Sequence, residues 1–169
     1  MNWLNHIGSM SNPFELAVFY ATHVFGGHVQ IVFIDAILIL ALHGFYILLL
    51  TRMFKRFVAD TALRKSLRAS FISYFLALIL VVVAHVNDIF ILSLALDSLK
   101  VFPDRLATFY YVSGMYTTIG ASASPGPEWQ GLSMVISFTG LFAFSISGAG
   151  LYSMLGFFLA PSRNENTES

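Results

Sequence analysis

Long apolar stretches separated by short polar segments dominate this chain. The stretches cover residues 31–53, 69–91 and 129–159. Each is long enough for a helix that crosses a hydrocarbon core of about 30 Å. Asp35 and His43 interrupt the first stretch, Asn87 and Asp88 lie near the end of the second, and the third carries no charge. The pattern predicts three transmembrane helices.

A fourth stretch, residues 106–127, carries no charged side chain and has a different pattern. Residues 106–116 are apolar and aromatic and predict about three helical turns. Residues 117–127 are mostly Thr, Gly, Ala, Ser and Pro, which favour irregular backbone. A helix of roughly 14 residues covers about 20 Å and cannot cross the bilayer. Irregular backbone at membrane depth must be buried in protein or line a watery cavity. The stretch therefore predicts a re-entrant pore helix and loop.

Composition places the chain in lipid. Hydrophobic residues make up 57% of the sequence and charged residues 11%, with a mean hydropathy of +0.75, which excludes an ordinary soluble domain. The net charge of zero gives no indication of a nucleic-acid partner, and the absence of cysteine excludes disulfides and thiolate chemistry. The fold class that follows is an all-α membrane protein with three transmembrane helices plus a re-entrant pore helix and loop.

The chain divides into four predicted segments. These are an extracellular or interfacial helix in residues 1–30, a first transmembrane helix with a basic linker in 31–68, a pore module in 69–159 and a cytoplasmic tail in 160–169. Asn12 and Pro13 mark the start of the first helix, which is expected to run to about Phe25. No basic segment precedes an apolar core here, so a cleaved signal peptide is not expected.

Six of the nine Lys and Arg side chains lie in residues 51–68, a basic block that covers the end of the first apolar stretch and the linker after it. By the positive-inside rule the linker faces the cytoplasm, which puts the N-terminus outside and the C-terminus inside the cell (inner) membrane. A patch that binds lipid head groups or nucleic acid is the alternative use of the same residues.

Ionisable side chains within apolar stretches are candidates for function, because burying them in lipid is costly. His85 and Asp88 are three residues apart and share a helix face. Asp35 and His85 lie at similar predicted depths. We expect Asp35, His85 and Asp88 to form a polar cluster that supports the pore loop; a simple interhelical hydrogen-bonded pair is the alternative.

The histidines raise the possibility of a haem or metal site, which needs two of them at matching depth. His43 is predicted to lie too far toward the cytoplasmic side to meet His23, His28 or His85. No resident metal or cofactor is therefore expected.

The third apolar stretch is rich in glycine and serine, which indicates either close helix packing or a flexible helix lining a pore. Thr139, Phe142 and Ile146 share one helix face that is expected to line a cavity. Phe142 would form its constriction, and the helix is expected to bend at Gly140 or Gly148.

The order of outer helix, aromatic pore helix, TTIG and glycine-bearing inner helix resembles the pore module of potassium channels, over residues 69–158. Its most specific part is residues 110–120. The resemblance implies a tetramer in which Thr117, Thr118, Ile119 and Gly120 surround a permeant monovalent cation, K⁺ or Na⁺, with carbonyl and hydroxyl oxygens.

The chain departs from that family after Gly120. The family continues Gly-Tyr-Gly-Asp, whereas here Ala121, Ser122 and Ala123 follow. The missing tyrosine and second glycine change the outer filter, so we expect a weakly selective homotetrameric cation channel and no enzyme. A non-conducting pore-like scaffold and a histidine-based redox or metal protein are the alternatives.

Overall fold

The structure, a computed structural model, describes residues 12–24, 26–59 and 67–159. Five helices form in this part of the chain: α1 (Pro13–His23), α2 (His28–Ala59), α3 (Leu67–Ser98), α4 (Arg105–Tyr116) and α5 (Leu132–Leu159), with a 3₁₀ turn at Pro127–Trp129 before α5. No strand occurs among these residues. Helices α2, α3 and α5 are long and apolar enough to cross a membrane. The prediction of an all-helical fold with three helices long and apolar enough to cross a membrane is confirmed for the described residues.

The predicted start of α1 is also confirmed. The Asn12 side chain accepts a hydrogen bond from the Phe14 amide at 3.0 Å, and Pro13 takes the first helical position. The helix ends at His23, slightly before the expected Phe25, and Gly27 then adopts a φ of +54°. Residues 1–11, residue 25, part of the basic linker (60–66) and the tail (160–169) lie outside the described residues.

Two apolar clusters hold the long helices together. The larger one unites the start of α2, the end of α3 and the start of α5, and its members include Val29, Val32, Leu92, Leu96 and Leu132. The smaller one joins the opposite ends of the same helices through Phe54, Val58, Ala77 and Met154. The start of α2, the end of α3 and the start of α5 therefore share one end of the bundle, which we call the α4 end because α4 packs there.

Large apolar side chains cover much of the outside of a single chain. Ile34, Phe45, Phe71 and Ile72 are each about two-thirds exposed. A surface of this kind facing water would be an aggregation liability. It is the surface expected of helices that face lipid or other copies of the chain.

Candidate functional site

The last residue of helix α4 lies against the middle of helix α5. Tyr116, its last residue, is fully buried, and its backbone carbonyl approaches Gly140 so closely that a Cβ atom there would collide with it. Gly140 lies near the midpoint of the apolar segment Pro127–Gly156. Asp104 caps the other end of α4, where its carboxylate accepts a hydrogen bond from the Ala107 amide at 2.9 Å. The 12 residues of α4 cover about 18 Å.

The chain reverses sharply after Tyr116. The Thr118 amide donates to the Met115 carbonyl and the Gly120 amide donates to the Gly114 carbonyl, both at 3.0 Å. Thr118 has a φ of +60° and Gly120 a φ of +94°. Gly114 permits this turn because a Cβ atom there would strike the Gly120 carbonyl. Glycine is therefore required on both sides of the reversal, at Gly120 for its conformation and at Gly114 for the close approach.

The returning segment runs back along α4. Residues Gly120, Ala121, Ser122 and Ala123 line the same depression of about 480 Å³ as Asp104 at the start of α4. Farther along, the Trp129 ring lies 5.3 Å from the ring of His28, at the start of α2. The segment that enters at Asp104 therefore leaves again at the same end of the bundle.

The turn itself is open to its surroundings in a single chain. Thr118, Gly120 and Ser122 are exposed, and Ile119 is 85% exposed. Thr117 and Ala121 are half-buried, and the Thr117 hydroxyl donates to the Ser113 carbonyl at 2.7 Å.

A buried polar cluster includes the hydroxyl group of Tyr116. Its members are His43 of α2, His85 and Asp88 of α3, Tyr116 of α4 and Ser147 of α5. The Tyr116 hydroxyl donates to Asp88 Oδ2 at 2.8 Å and lies 3.0 Å from His85 Nδ1. His43 Nε2 lies 2.8 Å from the Ser147 hydroxyl, and His43 Nδ1 lies 2.6 Å from Asp88 Oδ2. The cluster thus connects α2, α3, α4 and α5.

The structure brings together two of the three residues predicted to support the loop. His85 and Asp88 meet in the polar cluster, whereas Asp35 lies about two turns N-terminal of His43 on α2. One carboxylate oxygen of Asp35, Oδ2, is buried without a hydrogen-bond partner. Asp35 is not among the members of this cluster.

The expectation that His43 lies too deep to meet another histidine is wrong. The rings of His43 and His85 are 4.8 Å apart. The error has a definite cause: the prediction places the outer end of the second crossing near residue 91, whereas α3 continues to Ser98. The longer helix places His85 near its middle, level with His43 at the middle of α2. Tyr116 and Ser147 were also missed, because both were interpreted only as parts of apolar helices.

The three residues of α5 that are predicted to line a cavity differ in their exposure. Thr139 is buried, and its hydroxyl donates to the Val135 carbonyl at 2.7 Å. Phe142 is 55% exposed and Ile146 is half-buried. Gly140 allows the close approach of the Tyr116 carbonyl, whereas a Cβ atom at Gly148 would have no neighbour within 4 Å. Both glycines lie within the continuous helix α5.

Comparisons of the chain with protein-family models, with curated proteins and with solved structures give no match. The resemblance to potassium channels therefore stays a prediction from the sequence.

Proposed function

We propose that the protein is a homotetrameric cation channel with a weakly selective filter. The observation that carries this proposal is the path of residues 104–129. A helix reaches the middle of the bundle, reverses at Thr118 and Gly120, and returns to the end from which it came. Because the surrounding helices are long and apolar enough to cross a membrane, this path supports the proposal of a re-entrant pore helix and loop.

The exposed turn is the reason to infer several copies. Backbone groups at membrane depth require protein or water around them, and one chain leaves Thr118, Ile119 and Gly120 uncovered. Four copies around an axis would cover the outer side of the turn with protein. The inner side would then face a hydrated path.

In that arrangement the turn supplies the ion contacts. Carbonyl oxygens of Thr117, Thr118 and Ile119 would replace part of the water around a monovalent cation such as K⁺ or Na⁺. The Gly120 carbonyl lies against Gly114 of α4, so Gly120 would contribute to the path through its turn conformation. Ala121 and Ser122 leave the outer part without a bulky side chain, which favours weak selectivity. On the inner side, the exposed Phe142 of α5 is the candidate constriction of the cavity.

Ion flux into liposomes tests the proposal. Purified protein is reconstituted, and uptake of K⁺, Na⁺ and a large organic cation is compared with uptake by empty vesicles. We expect K⁺ and Na⁺ to enter at rates within about tenfold of each other and the organic cation to be excluded. Absence of any flux from a correctly assembled tetramer would favour the pore-like scaffold instead.

A matched pair of substitutions localises the path. Gly120→Asp places a charge in the turn, whereas Gly27→Asp places the same charge at another glycine with positive φ and open surroundings. Both variants place a side chain at a positive φ, +94° at Gly120 and +54° at Gly27, so both carry backbone strain. We expect Gly120→Asp to change flux at least tenfold and Gly27→Asp to leave it within twofold. Equal effects would contradict a pathway through the turn.

Assembly needs a separate measurement. Cross-linking in native membranes, followed by mass measurement of the solubilised complex, should give four chains. A monomer that conducts no ions would overturn the proposal.

A further inference from the structure

We propose that His43, His85 and Asp88 bind a divalent transition-metal ion of the zinc class in the middle of the bundle. One imidazole nitrogen from each histidine and one carboxylate oxygen lie within 4.8 Å of one another, and all three residues are buried. Two imidazoles and a carboxylate are a donor set that Zn²⁺ accepts. The assignment does not depend on ion conduction.

The hydrogen bonds around the two rings follow the pattern of metal-binding histidines. In such sites one ring nitrogen holds the metal while the other is oriented by a hydrogen-bonding neighbour. Here Ser147 contacts His43 Nε2 and Tyr116 contacts His85 Nδ1. The other nitrogen of each ring, His43 Nδ1 and His85 Nε2, is buried without a hydrogen-bond partner.

For His85, the neighbouring hydrogen bonds determine which ring nitrogen carries the lone pair. The Tyr116 hydroxyl gives its proton to Asp88, so it accepts one from His85 Nδ1. His85 Nε2 is then an unprotonated nitrogen in a residue that is only 7% exposed. A buried acceptor without a partner is costly, and a bound cation would satisfy it.

The contact between His43 and Asp88 is compatible with this assignment in one of the two tautomers of His43. His43 Nδ1 lies 2.6 Å from Asp88 Oδ2 without the alignment of a hydrogen bond. When Nε2 donates to Ser147, the Nδ1 lone pair faces a carboxylate, and the two atoms repel each other unless a cation lies between them. Ligands of a tetrahedral zinc ion are about 3.3 Å apart, so this pair must open by less than about 1 Å.

The surroundings provide access to the proposed ion. A cavity of about 300 Å³ between α2 and α3 is lined by His43, Asp88, Asn87 and Tyr46, and it is large enough for a water molecule in a fourth position. The rings of His43 and His85 are 4.8 Å apart, and the ring of His85 is also stacked on Phe144 at 4.1 Å. This space suits an ion and does not admit a haem macrocycle between the rings.

Metal binding would fasten the pore helix. Tyr116 contacts two of the proposed ligands and ends α4, so an ion there would hold the end of α4 against α2 and α3.

The test uses full-length protein purified without a polyhistidine tag and treated with a chelator. Zn²⁺ is titrated with elemental analysis of the bound ion, and Co²⁺ is titrated with visible absorption as a report of coordination geometry. We expect about one ion per chain. His85→Gln should weaken binding at least tenfold, and Ser147→Ala, which keeps every ligand, should weaken it roughly 10- to 100-fold.

A double variant, His23→Gln with His28→Gln, is the matched control, because it removes two histidines that lie outside the cluster. This control should bind Zn²⁺ as the unchanged protein does. If His85→Gln fails to fold, Ser147→Ala and the Zn²⁺-dependent rise in Tm of the unchanged protein decide the matter. A folded, unchanged protein that takes up no ion, or a control that loses binding equally, overturns the assignment and leaves a shared proton between His43 and Asp88.

Discussion

The polar cluster and the turn at residues 117–120 are neighbours in the chain, but the first is buried and the second is exposed. Tyr116 and the polar cluster behind it are buried within one chain, with His43 2% and Asp88 5% exposed. Ile119, only three residues after Tyr116, is 85% exposed. The cluster is therefore built by the helices of a single chain, whereas the turn presents a surface that a single chain does not cover. Contacts within one chain stabilise the cluster, whereas contacts with neighbouring copies would be needed to cover the turn.

The largest effect is expected where the two parts meet, at Gly140. Gly140→Ala places a methyl group against the Tyr116 carbonyl and forces α4 away from α5. Overpacking of this kind costs about 3 kcal/mol. We expect the free energy of unfolding in detergent to fall by about that amount, measured by thermal unfolding.

Gly148→Ala is the control on the same helix, because nothing lies within 4 Å of a Cβ atom there. It should be neutral or stabilise the helix by up to about 1 kcal/mol. Equal losses at both glycines would show that Gly148 also packs closely, and the single-chain picture of α5 would be incomplete.

The next effect concerns the polar cluster alone. Tyr116→Phe removes the hydroxyl that contacts Asp88 and His85 and leaves both without that partner. We expect a loss of about 1–3 kcal/mol in the free energy of unfolding. Tyr110→Phe on the same helix, where the tyrosine is 63% exposed, should change it by less than about 0.5 kcal/mol. A Tyr116→Phe protein of unchanged stability would contradict the idea that the cluster holds α4.

The helices and the polar cluster differ in how well the sequence predicts them. The three long apolar helices and the start of α1 at Asn12 follow from apolar length and from one capping residue, which are local signals. The meeting of His43 with His85 depends on the exact length of α3, and apolar length alone does not determine where a helix stops. The part played by Ser147 required the rotation of α5 relative to α2, which no local pattern encodes.

A smaller effect is expected at the strained residue of the turn. Thr118 has a φ of +60°, which costs a residue with a side chain about 1–2 kcal/mol. Thr118→Gly should therefore raise the free energy of unfolding by about 1 kcal/mol. Lys100→Gly, at a φ of +55° in the connection before α4, should give a similar gain. Ion flux should change only in Thr118→Gly; a change in both variants would mean that flux responds to general stability.

The smallest effect on one chain, and the sharpest test of the comparison, is expected at Ile119. Ile119→Ser changes a side chain that makes almost no contact within the chain, so the free energy of unfolding of a monomer should change by less than about 0.5 kcal/mol. In an assembly where the turns meet, the same substitution removes apolar contacts between copies, since burying an isoleucine side chain contributes about 1.5–3 kcal/mol. The fraction of assembled protein, measured by cross-linking at matched concentrations, should therefore fall while the monomer stays folded. Loss of monomer stability without loss of assembly would mean that the turn packs within its own chain, and the inference of several copies around it would no longer follow.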